Sequence, residues 1–189
     1  MLQKKLTQSN LTLGFTLVEL LVVMAIIGLL STIVYVSFGD ARAQSRDKIR
    51  MTALKELQLA VEQYRAQTGR YPSKGCSETT IWVGPGPHPA AWGNDNHCAE
   101  YIAGLVPDYI NALPTDPREE MVDDKGFIYA TNADRSAYKI LVHRTVEAIQ
   151  ITSFNDEFSR CPSAVGSCAG GVGGNANVYG VYSTGAEDW

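Results

Sequence analysis

No proline occurs before Pro72, so nothing in the first part of the chain forces a helix to break. Charge is scarce as well: the 24 residues from Phe15 to Phe38 carry a single charged side chain, Glu19. Over the whole chain basic residues are in deficit, with Lys+Arg 16 against Asp+Glu 20 and a net charge of -4, which argues against a basic nucleic-acid binder. At 45% hydrophobic the chain is not a disordered tail. With 189 residues it holds one folded unit plus an extension, too little for catalytic domains in tandem. No internal repeat is apparent. Gly170-Gly171-Val172-Gly173-Gly174 lacks the Gly-Lys-Ser/Thr of a phosphate loop, since Asn175 follows. No Ser/His/Asp order or carboxylate pair stands out as catalytic, and His143 reads as a strand residue.

What is present begins with the apolar run. At about 1.5 Å per residue, Phe15 to Phe38 as a helix reaches about 36 Å, enough to span a bilayer core of about 30 Å with some tilt. Leu17, Leu20, Leu21, Met24 and Ile27 recur at helical spacing, and Val18, Val22, Val23 and Ile26 fill the other faces. A secretory signal has a shorter apolar region closed by a small residue; here the small residue, Gly14, stands before the run, behind a polar stretch carrying Lys4 and Lys5. Glu19 interrupts the pattern. A carboxylate in lipid costs several kcal/mol, so it needs a partner, and a free amine on Phe15 of the same or a neighbouring chain would supply one. The simpler reading is an acid complementing the helix dipole in a first turn.

Gly14-Phe15-Thr16-Leu17-Val18-Glu19-Leu20, behind a Lys-bearing leader and ahead of an apolar helix, resembles the processing site of type IV prepilins and type II secretion pseudopilins. The resemblance implies that residues 1–14 are a leader, that a prepilin peptidase cuts between Gly14 and Phe15, and that the Phe15 amine is methylated. It further implies that Glu19 engages the amino terminus of an adjacent subunit. Residues 15–38 are then the transmembrane and filament-core helix. Arg42, Arg46, Lys48, Arg50 and Lys55 follow the run and outnumber Lys4 and Lys5, which by the positive-inside rule favours the opposite orientation. The leader places the bulk of the chain outside the cytoplasm nonetheless, because long domains translocate largely regardless of charge.

Residues 39–69 continue the helix as an amphipathic element, with Ile49, Ala53, Leu57, Ala60 and Tyr64 as an apolar stripe and Leu54 and Val61 beside it. Gly69 suits the C′ position, and Tyr71-Pro72 prevents resumption. Residues 70–189 form the head. Strands are expected over Phe127–Thr131, Ala137–His143 and Val178–Ser183, the first two joined at hairpin length, with Thr145–Ile151 extending the hairpin and Asn155–Asn177 irregular. Tyr138, Ile140 and Val142 alternate with Lys139, Leu141 and His143, as a sheet with one covered face requires. Leu113-Pro114-Thr115-Asp116-Pro117, a rigid extended turn, and Gly126-Phe127-Ile128-Tyr129 resemble the corresponding turn and first strand of the secretion system's major pseudopilin.

Four cysteines in an extracytoplasmic head point to disulfides with three possible connectivities, of which Cys76–Cys98 and Cys161–Cys168 are the local choice. Cys76, His88, His97 and Cys98 have poor spacing for zinc, with no CxxC pair. Acids gather at Asp116, Glu119, Glu120, Asp123 and Asp124, at Asp156-Glu157 and at Glu187-Asp188. The family resemblance implies calcium in a loop of the carboxyl-terminal sheet, but no matching ligand run is present and a solvated acidic surface is the expectation. Trp189 is expected to pack back on the sheet.

The expected fold is therefore α+β and pilin-like, a long amino-terminal helix on a small antiparallel sheet. The expected function is a non-enzymatic subunit of a pilus or secretion pseudopilus. Its implied partners are like subunits, the prepilin peptidase, the bilayer and an inner-membrane platform with a separate motor ATPase. The competing reading is a membrane-tethered binding or metal-dependent domain that uses pilin-like export without polymerising.

Overall fold

A computed structural model describes residues 14–75, 81–85, 100–118, 126–164, 166–169, 171–173, 176–187 and 189, the side chains of 33–37 and 167 excepted. The chain divides between Asp40 and Ala41 into two units. Helix α1 (Leu17–Thr68), 52 residues long, begins in the first and ends in the second.

In the first unit the described apolar side chains from Phe15 to Leu30 are exposed on every face of α1, Phe15 at 86%. Among the described residues no helix is long and apolar enough to cross a membrane.

In the second unit α1 is a helix by composition, since residues 51–67 are mostly Ala, Leu, Gln, Glu, Lys and Arg. It ends where expected. Gly69 has a φ of 80°, its N–H bonds the Arg65 carbonyl at 2.8 Å, and Tyr71 and Pro72 are buried beyond it. Three antiparallel strands follow, β1 (Gly126–Thr131), β2 (Tyr138–His143) and β3 (Tyr179–Tyr182), in the order β1-β2-β3. Tyr129 pairs with Ile140, and Ile140 with Val181. In the hairpin between β1 and β2, Asn132 Oδ1 accepts the N–H groups of Ser136 and Ala137 at 2.9 and 3.0 Å, and Arg135 takes a left-handed φ of 56°. The strands lie within a residue of the expected bounds at each end.

The core joins Leu54, Leu57, Ala60 and Val61 of α1 to Tyr129, Tyr138, Ile140, Val142, Tyr179 and Val181 of the sheet. The expected stripe on α1 holds from Ala53 to Tyr64 and fails only at its Ile49 end. Ile49 is 52% exposed, and the inward line from Val61, Leu57 and Leu54 runs on instead through Arg50 and Asp47. Charged residues hold inward positions because the head saturates their hydrogen bonds, as described below.

The sheet also departs from the one-sided expectation. Every residue of β2 is buried, Lys139 and His143 included. Ile128, Leu141 and Val178 form a second apolar cluster with the half-buried Trp82. Segment 158–161 lies against β3: the Gly180 N–H donates to the Phe158 carbonyl at 2.9 Å, and a Cβ on Gly180 would stand 2.9 Å from Leu141 Cδ2 and 3.0 Å from Arg160 Cα. Only glycine admits that approach. Lys139 Nζ donates to main-chain oxygens of Glu187 and Trp189 at 2.9 and 3.0 Å and lies 5.0 Å from the Tyr182 ring centroid. Trp189 thus returns to the sheet through its backbone. Residues 145–151 form no strand, contrary to expectation, because the amides of Glu147, Ala148 and Ile149 are committed to Asp47.

Candidate functional site

Gly14, Phe15 and Glu19 come together at the start of α1, with Thr16 between them. The Thr16 N–H and the Thr16 hydroxyl each donate to Glu19 Oε2 at 2.8 Å. The Glu19 N–H donates back to the Thr16 hydroxyl oxygen at 3.3 Å. This reciprocal pair is a capping box, which satisfies two of the amides that a helix start leaves without intrahelical partners. Thr16 is its N-cap and Glu19 its N3 residue. Thr-x-x-Glu was present in the sequence, yet only the glutamate invited attention. The geometry gives Glu19 a partner inside its own chain, and it holds the carboxylate one residue from the Phe15 nitrogen. Oε1 accepts no hydrogen bond among the described residues, so the carboxylate retains capacity for a second donor.

The second constellation was not anticipated. Arg50, with no exposed side-chain surface, donates through Nε and Nη2 to the two oxygens of Asp116, both at 2.8 Å. Its Nη1 reaches Asp47 at 2.7 Å and Glu147 at 3.0 Å. Asp47, also fully buried, accepts the N–H groups of Glu147, Ala148 and Ile149 at 2.7 to 3.1 Å. Arg46 completes the group with a two-pronged contact to Glu147. Burial opposes the charge on Arg50, but hydrogen bonds to Asp116 and Glu147 outweigh it and hold the guanidinium protonated more firmly than usual. The contact from Arg46, with help from Arg50 against partial burial, depresses the Glu147 carboxyl to about 2. Burial also works against the Asp116 carboxylate, and Arg50 again more than compensates. Sequence spacing contained the signal: Asp47 and Arg50 continue the Leu54, Leu57, Val61 line backwards by steps of three and four. The cluster fastens α1 to the Pro-bounded turn at Asp116 and to the 145–151 loop. The buried Arg50 and Asp47 and the carboxylates of Asp116 and Glu147 all find partners within the fold, so the cluster is structural.

Cys161 and Cys168 are joined, with Cα atoms 6.3 Å apart, and Gly166–Cys168 forms a short 3-10 turn between them. Cys76 and Cys98 lie outside the described residues, as do His88, His97, Glu119, Glu120, Asp123, Asp124 and Asp188. Among the described residues no three metal-ligating side chains gather. Of the clustered acids, three more are engaged elsewhere: Asp156 caps the amides of Thr152 and Ser153, Glu157 pairs with Lys55 at 2.8 Å, and Glu187 accepts the Gly185 N–H.

Residues 11–35 match the family described as the prokaryotic N-terminal methylation motif. The chain is also 30% identical over 105 residues to the type II secretion system core protein G of Klebsiella pneumoniae, an alignment covering 55% of this chain and 67% of that protein. No solved structure matches the chain. A capped apolar helix behind Gly14, a helix-on-sheet head and this relative together establish that the chain belongs to the type IV pilin and type II secretion pseudopilin superfamily.

Proposed function

We propose that the protein is a non-enzymatic structural subunit of a type II secretion pseudopilus. In this reading a prepilin peptidase cuts between Gly14 and Phe15 and the new amine is methylated. The mature chain waits in the cytoplasmic membrane as a single-pass protein with residues 39–189 outside. A motor ATPase and its platform then move it into a helical fibre with like subunits. The alignment with core protein G favours the secretion branch over a surface pilus.

The carrying observation is the capping box directly behind Gly14-Phe15. It presents a carboxylate at the depth where cleavage creates a cation, on a helix whose described apolar side chains are uncovered on all sides. The amine of Phe15, on this helix or a neighbour, offsets that charge, and burial of helix against helix replaces lipid. Because one chain's amine meets another chain's acid, the contact is heterologous and extends without closing.

The test is expression of the full chain with its secretion machinery. A mature product beginning at Phe15, filaments containing the chain, and loss of those filaments with cleavage retained in Glu19→Ala are the expected results. A product that keeps residues 1–14 and occurs only as isolated molecules would refute the function and favour a tethered domain.

A further inference from the structure

The exposed face of α1 in the head is divided by charge. At about 100° per residue, Arg42, Lys48, Ile49, Glu56, Leu59 and Gln63 all fall within about 80° of Thr52 on the helix surface. All are exposed. The lower part carries two cations, Arg42 and Lys48, around Ile49. The upper part carries two anions, Glu56 and Asp108, around Leu59, which is 60% exposed. None of these four charges has an ion-pair partner among the described residues, whereas nearby Arg46, Arg50 and Lys55 are all paired. Leu59 opens into a groove of about 380 Å³ between α1 and the loop that follows Leu105, lined by Glu56, Leu59, Pro107, Asp108, Tyr109 and Ile110. Its walls are fixed, since Tyr109 stacks on Tyr64 at 5.4 Å between centroids and its hydroxyl donates to Gln67 at 2.7 Å.

We propose that this groove receives the Ile49 segment of a second copy of the same chain, with Arg42 and Lys48 of that copy meeting Glu56 and Asp108. The inference rests on the filament reading above and names a contact within it. The two halves lie about 80° apart around α1 and ten residues, or about 15 Å, apart along its axis. Copies stacked along one direction therefore satisfy groove and knob in turn, and a contact of that kind propagates instead of closing a dimer. Opposite charges at the two ends set the direction of stacking and disfavour the reverse. A largely polar groove with Leu59 in its wall and unpaired charge of one sign at its rim, facing an apolar side chain flanked by the other sign, is complementarity within a single sequence.

The experiment places a photo-crosslinking benzoylphenylalanine at position 59 of the full chain, assembled with its own machinery, and maps the product by mass spectrometry after Glu-specific digestion. Crosslinks from position 59 to residues 42–50 of another copy are expected. Charge reversal in Lys48→Glu should lower filament yield about threefold to fivefold, the scale of one or two exposed ion pairs, and Glu56→Lys in the same chain should restore it. Filaments of normal yield whose crosslinks fall only elsewhere, or a Lys48→Glu loss that Glu56→Lys does not rescue, overturn this contact and leave the filament function standing. Absence of any filament containing the unmodified chain overturns the function, and this contact with it.

Discussion

The start and the middle of α1 handle a carboxylate in opposite ways. At Glu19 the acid is held by its own helix start, through the Thr16 N–H and hydroxyl, amid exposed apolar side chains. At Asp47 the acid is buried and held by Arg50 and three amides from a loop 100 residues away in sequence. A group satisfied locally can exchange its partner without unfolding anything else. One satisfied by distant segments cannot, because losing it loosens each of them. The first arrangement suits the proposed assembly, and the second fastens α1 to the head as its spine.

Removing the spine's central cation should have the largest effect. Arg50→Met leaves Asp47 and Asp116 buried without their main counter-charge, and breaking a buried network in this way costs about 3 to 5 kcal/mol. Denaturant unfolding of the full chain in detergent, followed by tyrosine fluorescence of the head, should show a lower midpoint with the slope retained. A midpoint unchanged from the parent would mean that the cluster contributes little to the head.

The Ile49 end of the stripe makes the next contrast. Leu57→Ala opens a cavity in the core and should cost about 2 to 5 kcal/mol, whereas Ile49→Ala, on the exposed face, should stay within about 0.5 kcal/mol in the same assay. Equal losses at the two positions would restore the stripe that simple periodicity suggested.

Acid should loosen the spine selectively. Glu147 titrates near 2 in the folded head and in the ordinary carboxylate range when unfolded, and Asp116 is lowered in the same direction. A depressed folded value contributes stability that is complete above the unfolded value and fades as pH falls towards the folded one. Unfolding midpoints should therefore drop between about pH 5 and pH 2, and Glu147→Gln should flatten that slope. A slope identical in the variant would assign the acid sensitivity to other carboxylates.

These contrasts also separate what could be read in the sequence from what could not. The long helix, its stop at Gly69 and the three strands were legible because each rests on local chemistry: absence of proline, a left-handed glycine, alternating apolar residues. The Cys161 and Cys168 pair was the local choice among three connectivities. Asp47 and Arg50 were not, because a charged residue reads as solvent-facing until its partners are known, and Asp116 and Glu147 lie 66 and 97 residues from Arg50. Residues 145–151 looked like strand for the converse reason: their apolar residues suit a sheet, but a buried carboxylate captured the amides of Glu147, Ala148 and Ile149 first. The covering of the sheet's second face by 158–161 and by the return of Trp189 left no periodic trace beyond Gly180.

The smallest effect tests the locally satisfied acid of the comparison. Thr16→Val keeps the shape and β-branching of the side chain but removes the hydroxyl that both donates to Glu19 and accepts its N–H. Loss of an N-cap of this kind costs about 1 kcal/mol of local helix stability. Because no head residue takes part in these bonds, denaturant unfolding of the head should not change. Hydrogen exchange at the amides of residues 16–20 should quicken about fivefold, the factor that corresponds to that energy at room temperature. Glu19, now held by one donor fewer, would meet an incoming amine with less to give up, so the variant should still assemble, in contrast to Glu19→Ala. A Thr16→Val chain that is cleaved normally but forms no filament would show instead that the intrachain bonds position the carboxylate for its neighbour, and that the start of α1 is as dependent on preset geometry as the spine.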